Sequence, residues 1–88
     1  MSRLRLVMFS VPSCTICPQQ RPKARELAMD YAILWKELDA IDDEESKYYD
    51  IDGVPGYVLE DTNHNVLIHG GGLRTLEAIE DKLKELSK

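Results

Sequence analysis

The apolar and polar positions along the chain predict an ordered series of elements. Leu4 to Phe9 is a short apolar run interrupted only by Arg5 near its start, the pattern of a buried strand. Val11-Pro12-Ser13 breaks it. From Arg21 to Ala32 the period changes: Leu27, Ala28, Tyr31 and Ala32 form an apolar stripe, with Arg21, Lys23, Arg25 and Glu26 largely on other faces, which predicts an amphipathic helix. Pro18 and Pro22 stand at its front, where the first residues have no intrahelical N–H bond to lose, and Pro22 is far enough in to kink it. Ile33 to Leu38 alternates and predicts a second strand, with either the Ile33/Trp35/Glu37 set or the Leu34/Lys36/Leu38 set able to face inward.

The remainder follows the same logic. Asp39 to Asp52 is acidic, with Asp42 or Asp43 placed to cap a short helix through Tyr48 or Tyr49. Asp52-Gly53 predicts a turn, Tyr57 to Glu60 a third strand, Thr62-Asn63-His64-Asn65 a hairpin turn and Val66 to Ile68 a fourth strand. Gly70-Gly71-Gly72 ends that strand, and from Leu73 a last helix carries Leu76, Ile79, Leu83 and Leu86 at helical spacing. The order is β-α-β-α-β-β-α. A crossover helix between the first two strands makes them parallel, and the last two form an antiparallel hairpin. The expected fold is α/β, a mixed four-stranded sheet with helices on both faces, and residues 1–88 form one domain.

Composition narrows the function. A chain of 88 residues buries only roughly 60–65% of its unfolded surface. Its net charge of −5 disfavours nucleic acid and anionic membranes as partners. No apolar run approaches the ~20 residues of a membrane span. Arg3 and Arg5 precede an apolar stretch too short for a signal peptide, so a cytoplasmic protein is expected; a monomer is expected as well. In that compartment a lone cysteine pair is more often catalytic or metal-binding than a structural staple.

Both cysteines of the chain, Cys14 and Cys17, lie three apart between the first strand and the first helix. Positions i and i+3 of a helical turn share a face and reach disulfide distance with little backbone movement. Unpaired N–H groups and the positive end of the dipole at a helix N-terminus favour thiolate over thiol, and can bring a cysteine pKa from ~8.5 into the range ~3.5–7.5. Strand, turn, Cys-x-x-Cys and helix thus describe a reversible dithiol. The competing readings are a structural disulfide, two inert core thiols, or a zinc site combining Cys14-x-x-Cys17 with His64-x4-His69. The 46 residues between those pairs far exceed a zinc-finger loop, and residues five apart along a hairpin tend to fall on opposite faces, so no metal is expected.

Phe9-Ser10-Val11-Pro12-Ser13-Cys14-Thr15-Ile16-Cys17-Pro18 resembles the entry of glutaredoxins and their ribonucleotide-reductase-linked relatives, and with the element order the chain resembles the thioredoxin-fold redoxins over nearly its whole length. Pro22 resembles the helix-kinking proline of thioredoxins, Gly53-Val54-Pro55 the loop carrying a cis-proline, and Gly70 to Gly72 the glycine turn of both families. The resemblance implies a thiol–disulfide oxidoreductase that reduces protein disulfides. Cys14 would be the nucleophile and Cys17 the residue that resolves the mixed disulfide. Pro55 would be cis, leaving the N–H and C=O of Val54 to pair with an extended substrate segment. Ser13, Thr15, Ile16, Val54, Pro55 and Gly71 would contact substrate. No bound cofactor is implied; electrons would come from NADPH through thioredoxin reductase or glutathione, and the substrate would be a disulfide protein such as ribonucleotide reductase. A glutathione-coupled glutaredoxin and a non-catalytic binding module with the same fold are the alternatives. Several positions depart from the family patterns. Thr15-Ile16 is neither Gly-Pro nor Pro-Tyr, Ser13 replaces a tryptophan, and Met8 stands where thioredoxins keep a buried acid. Val11 and Leu73-Arg74-Thr75 occupy the regions where glutaredoxins hold glutathione.

Overall fold

The strand Leu4–Ser10 (β1) is apolar on both faces, and its position follows from that. Leu6, Val7, Met8 and Phe9 are all completely buried, which only an inner strand covered from above and below allows. In the computed structural model, which describes residues 3–49 and 53–87, β1 is flanked by Leu34–Asp39 (β2) and Gly56–Asp61 (β3), and Val66–Gly71 (β4) lies beyond β3. The strand order is β2-β1-β3-β4. β1 and β2 are parallel, while β1–β3 and β3–β4 are antiparallel, as the connections require. The expected Asp52-Gly53 turn falls partly on Asp52, outside the described residues.

Helices Cys17–Asp30 (α1) and Gly72–Leu86 (α2) pack on one face of the sheet, where Leu6, Met8, Tyr57 and Leu59 meet Cys17, Ala24, Leu27, Ala28, Leu76, Ile79 and Leu83. The other face holds Val7, Phe9, Leu38 and Val58 under Ala40 and Tyr49. The helix expected there is a 3-10 turn, Glu44–Tyr48, so the second layer is thinner than the first. Trp35 lies beside Leu6 in the parallel register and packs on the helix side, which puts the Ile33/Trp35/Glu37 set toward the helices. Leu86, grouped above with the apolar positions of α2, is half exposed.

Several element ends differ from the sequence reading. α1 starts at Cys17, ahead of the apolar stripe and with Pro18 at its front as expected, since Pro18 gives up an N–H that had no partner. The helix continues through Pro22 and stops at Asp30. Ala32, expected inside it, takes a left-handed φ of 52°. Ile33 N–H then bonds to Ala28 O (3.0 Å) and Ala32 N–H to Met29 O (3.1 Å), a Schellman stop formed without glycine. Asp43 does not cap the 3-10 turn through its side chain. Its carboxylate accepts instead from the Asp39 N–H at 2.6 Å. β4 runs on through Gly70 and Gly71, which pair with Tyr57 and Gly56, so the glycines extend the strand and Gly72 opens α2. Among the described residues, no helix is long and apolar enough to cross a membrane.

Candidate active site

The sheet register gathers two loops and a strand–helix junction at one end. Phe9 of β1 pairs with Gly56 of β3, and Gly56 pairs with Gly71 of β4. The segment after β1 (residues 11–16), the segment before β3 (53–55) and the junction of β4 with α2 (70–72) therefore lie side by side. In the first, Cys14 N–H closes a turn on Val11 O at 3.0 Å. Ile16 then caps α1 with its carbonyl, which accepts from the N–H groups of Gln19 and Gln20. Cys17 is the first helical residue.

Cys14 and Cys17 form a disulfide with a Cα–Cα separation of 5.5 Å. The two sulfurs differ in environment. Cys17 is 1% exposed and packed in the helix-side core with Leu6 and Met8, whereas Cys14 stands partly exposed at its edge. The Cys17 N–H donates to Cys14 Sγ at 3.1 Å. That donor belongs to the unpaired first turn of the helix, and it points at the sulfur that would carry charge once the disulfide is reduced. A reachable, donor-stabilised sulfur beside a shielded one gives a dithiol two unequal roles.

The proposed contact residues divide by exposure. Ser13 and Thr15 are exposed and Ile16 is 50% exposed, an uncovered apolar side chain between the cysteines. Val54 is half-buried against the same core cluster as Cys14. The Val54–Pro55 peptide is cis, and Pro55 is buried. Pro55 O accepts from Gly72 N–H at 2.9 Å, tying that loop to the glycine turn. A Cβ on Gly71 would sit 3.4 Å from the same oxygen, whereas Gly70 and Gly72 take positive φ values of 153° and 75°. Gly71 is the glycine whose lack of a side chain matters for approach to Pro55 rather than for backbone shape.

Below the first turns of α1 lies a row of side chains of which only Met8 stood out in the sequence. The register places Glu37, Met8 and Tyr57 side by side on β2, β1 and β3. Met8 offers no acid beneath the dithiol. Glu37 accepts from Ser10 Oγ at 3.0 Å and from Arg21 Nε at 2.8 and 2.9 Å, and Arg21 completes the ion pair at 2.7 Å. The hydrogen bond to Glu37 raises Arg21 above the ordinary guanidinium value. On the other side Tyr57 donates its hydroxyl to Gln20 Oε1 at 2.7 Å. Burial pushes the Tyr57 phenol up to about 12, with nearby Arg21 working against the shift and Glu37 with it. The one local signal was the alternation that put Glu37 in the same set as Trp35; its partner Arg21 lies sixteen residues away.

A second polar cluster sits at the opposite end of β1. The fully buried Glu60 carboxylate takes Arg5 at 2.6 Å and His64 Nδ1 at 3.0 Å. The Tyr49 hydroxyl is buried beside it without a well-formed hydrogen bond. His64, with φ of 65°, and the bulge at Leu59/Glu60 break the hairpin alternation. His69 pairs with Val58 and so shares the second face with His64, against the expectation of opposite faces. Among the described residues, no group of three or more His, Cys, Asp or Glu side chains is arranged to hold a metal.

No protein-family model matches the chain, and no curated protein matches it. Solved structures do. A mutant thioredoxin from Halobacterium salinarum NRC-1 superposes with a TM-score of 0.78 at 21% identity, spanning 97% of this chain and 75% of that one. Fasciola hepatica thioredoxin gives 0.70 at 26% identity, over 96% of this chain and 77% of that one. A reduced Schistosoma mansoni thioredoxin pre-protein gives 0.77 at 24% identity, over 94% and 78%. The chain has a thioredoxin-like fold, and that fold with a Cys-x-x-Cys disulfide at a helix entry supports thiol–disulfide oxidoreductase chemistry in general.

Proposed function

We propose that this protein reduces disulfides in partner proteins by dithiol exchange. The observation that carries the reading is the inequality of the two sulfurs: Cys14 partly exposed and hydrogen-bonded by the Cys17 N–H, Cys17 itself buried. In the reduced protein the Cys14 thiolate attacks one sulfur of a substrate disulfide and expels the other as a thiolate, which leaves a mixed disulfide. The Cys17 thiolate then attacks Cys14 Sγ. The substrate leaves as a second thiolate, and the Cys14–Cys17 disulfide forms. Two electrons pass from protein to substrate, and a donor must return two.

Ile16 and the Val54–Pro55 segment form the substrate contact in this reading, Ile16 by burying its exposed apolar surface and Val54 through its backbone. Gly71 leaves room beside Pro55 O, and Ser13 and Thr15 flank the approach. The protein works as a cytoplasmic monomer with no bound cofactor, drawing electrons from NADPH through thioredoxin reductase or glutathione. On the resemblance to the ribonucleotide-reductase-linked redoxins, a ribonucleotide reductase disulfide is the substrate to try first.

The test is NADPH consumption with a protein disulfide, run separately with thioredoxin reductase and with glutathione plus glutathione reductase. Wild type turns over in at least one arm, and the active arm identifies the donor. Cys14→Ser abolishes turnover, and Cys17→Ser arrests it as a covalent complex visible on a non-reducing gel. Silence in both arms with the disulfide still oxidised overturns the reading in favour of a non-catalytic binding module.

A further inference from the structure

We propose that Glu37 positions and tunes the dithiol, clamping both ends of the segment that carries Cys14 and Cys17 and cancelling the charge of Arg21. The proposal rests on the dithiol-exchange reading above. Ser10 is the last residue of β1 and Arg21 lies four residues after Cys17, one turn further along α1. Glu37 holds both at once, through Ser10 Oγ at 3.0 Å and the two-nitrogen contact with Arg21. The chain between Ser10 and Arg21 is the reactive loop and the first helical turn. A carboxylate on a neighbouring strand thus spans the segment whose geometry sets the approach of Cys14 to Cys17.

The charges on this row are few. Met8 has none, and the Tyr57 phenol stays neutral until well above neutral pH. Arg21 and Glu37 remain, and as a bidentate pair their fields largely oppose each other. Reduction of the disulfide consumes two electrons and up to two protons and leaves Cys14 partly as a thiolate. A free cation one turn along the helix favours that thiolate and the reduced form. A free carboxylate in the same place disfavours both.

Opposite signs follow for the two halves of the pair. Glu37→Gln leaves Arg21 uncompensated, so the dithiol becomes more oxidising and Cys14 alkylates at lower pH. Arg21→Gln leaves Glu37 uncompensated, so the dithiol becomes more reducing and Cys14 alkylates at higher pH. The double variant returns close to wild type in both. The expected size is a threefold to tenfold change in the equilibrium constant with glutathione, about 14–30 mV for a two-electron couple.

The experiment equilibrates wild type and the three variants with glutathione redox buffers. In parallel, the pH profile of Cys14 alkylation is measured on each reduced protein, with thermal unfolding alongside. A purely structural role lowers the stability of both single variants and moves neither potential nor alkylation profile in opposite directions. Shifts of the same sign, or none, overturn the proposal. Failure of wild type to exchange overturns the reductase reading instead, while the alkylation profiles still report on Glu37 through the thiol alone.

Discussion

Arg5 and Glu60 are direct partners across the antiparallel β1–β3 ladder, and their side chains close a 2.6 Å ion pair with the carboxylate fully buried and the guanidinium 19% exposed. A buried charge is tolerable only while its partner is present. Arg5→Leu keeps the apolar stem and removes the charge, leaving Glu60 with His64 and the neutral Tyr49 hydroxyl beside it. The expected loss is roughly 2–4 kcal/mol, short of the largest buried-pair effects because Arg5 keeps some solvent contact. Urea unfolding of the two proteins measures it. The double variant Arg5→Leu/Glu60→Leu recovers much of the loss, since the uncompensated carboxylate is the main cost.

The same cluster predicts an acid limb of stability. Burial pushes the Glu60 carboxyl up, but Tyr49, the Arg5 hydrogen bonds and the charges of Arg5 and His64 together outweigh it and leave the group below its ordinary value. The unfolded chain therefore binds the proton first as pH falls. Glu60 contributes stability above the unfolded carboxyl value near 4.5, and that contribution is lost as pH drops from there through the folded value. Asp61, lowered by hydrogen bonds from Asn65 and Asn63, acts with the same sign. Denaturation midpoints between about pH 2 and 5 should fall steeply for wild type and less steeply for Glu60→Gln. An unchanged slope in that variant would assign the acid limb to other carboxylates.

Tyr57 anchors the first turn of α1 to the sheet by donating to Gln20 Oε1. Tyr57→Phe keeps the buried ring and deletes only that bond, and Gln20 is exposed enough for water to take the vacated place. The expected cost is roughly 0.5–1.5 kcal/mol. A double-mutant cycle with Gln20→Ala should show most of it as coupling between the two positions. Independent losses would mean that the hydroxyl matters through another partner.

What could be read from the chain alone divides by the range of the interactions. β1 was legible because four consecutive apolar residues need cover on both faces, and the dithiol because its chemistry lies within one turn. The end of α1 was not, since Ala32 takes a left-handed conformation usually given to glycine and carries no stop signal. The last two residues of β4 were hidden for the converse reason: glycine weakens a strand locally, and Tyr57 and Gly56 supply the pairing from β3. The Glu37–Arg21 and Glu60–Arg5 pairs join residues 16 and 55 positions apart, so only the assembled register reveals them. Met8 was legible as a missing acid. That a carboxylate stands beside it on the neighbouring strand was not.

The three glycines before α2 separate into two kinds, and paired substitutions test the division. Gly70 has a φ of 153°, and a Cβ there would lie 2.6 Å from Thr75 Oγ1, a side chain committed to a 3.0 Å hydrogen bond with Gly71 O. Gly70→Ala must therefore both strain the backbone and displace Thr75, at an expected cost of roughly 1–3 kcal/mol. Gly71 has an ordinary backbone, and its added Cβ would meet only Pro55 O at 3.4 Å. Gly71→Ala should leave the unfolding free energy within about 0.5 kcal/mol of wild type. If a substrate backbone passes beside Pro55, however, the methyl occupies its path. Turnover of a protein disulfide then falls severalfold through KM, while reduction of a small disulfide that needs only Cys14 is unchanged. Equal effects on both substrates would place the substrate elsewhere and leave Gly71 as part of the turn alone.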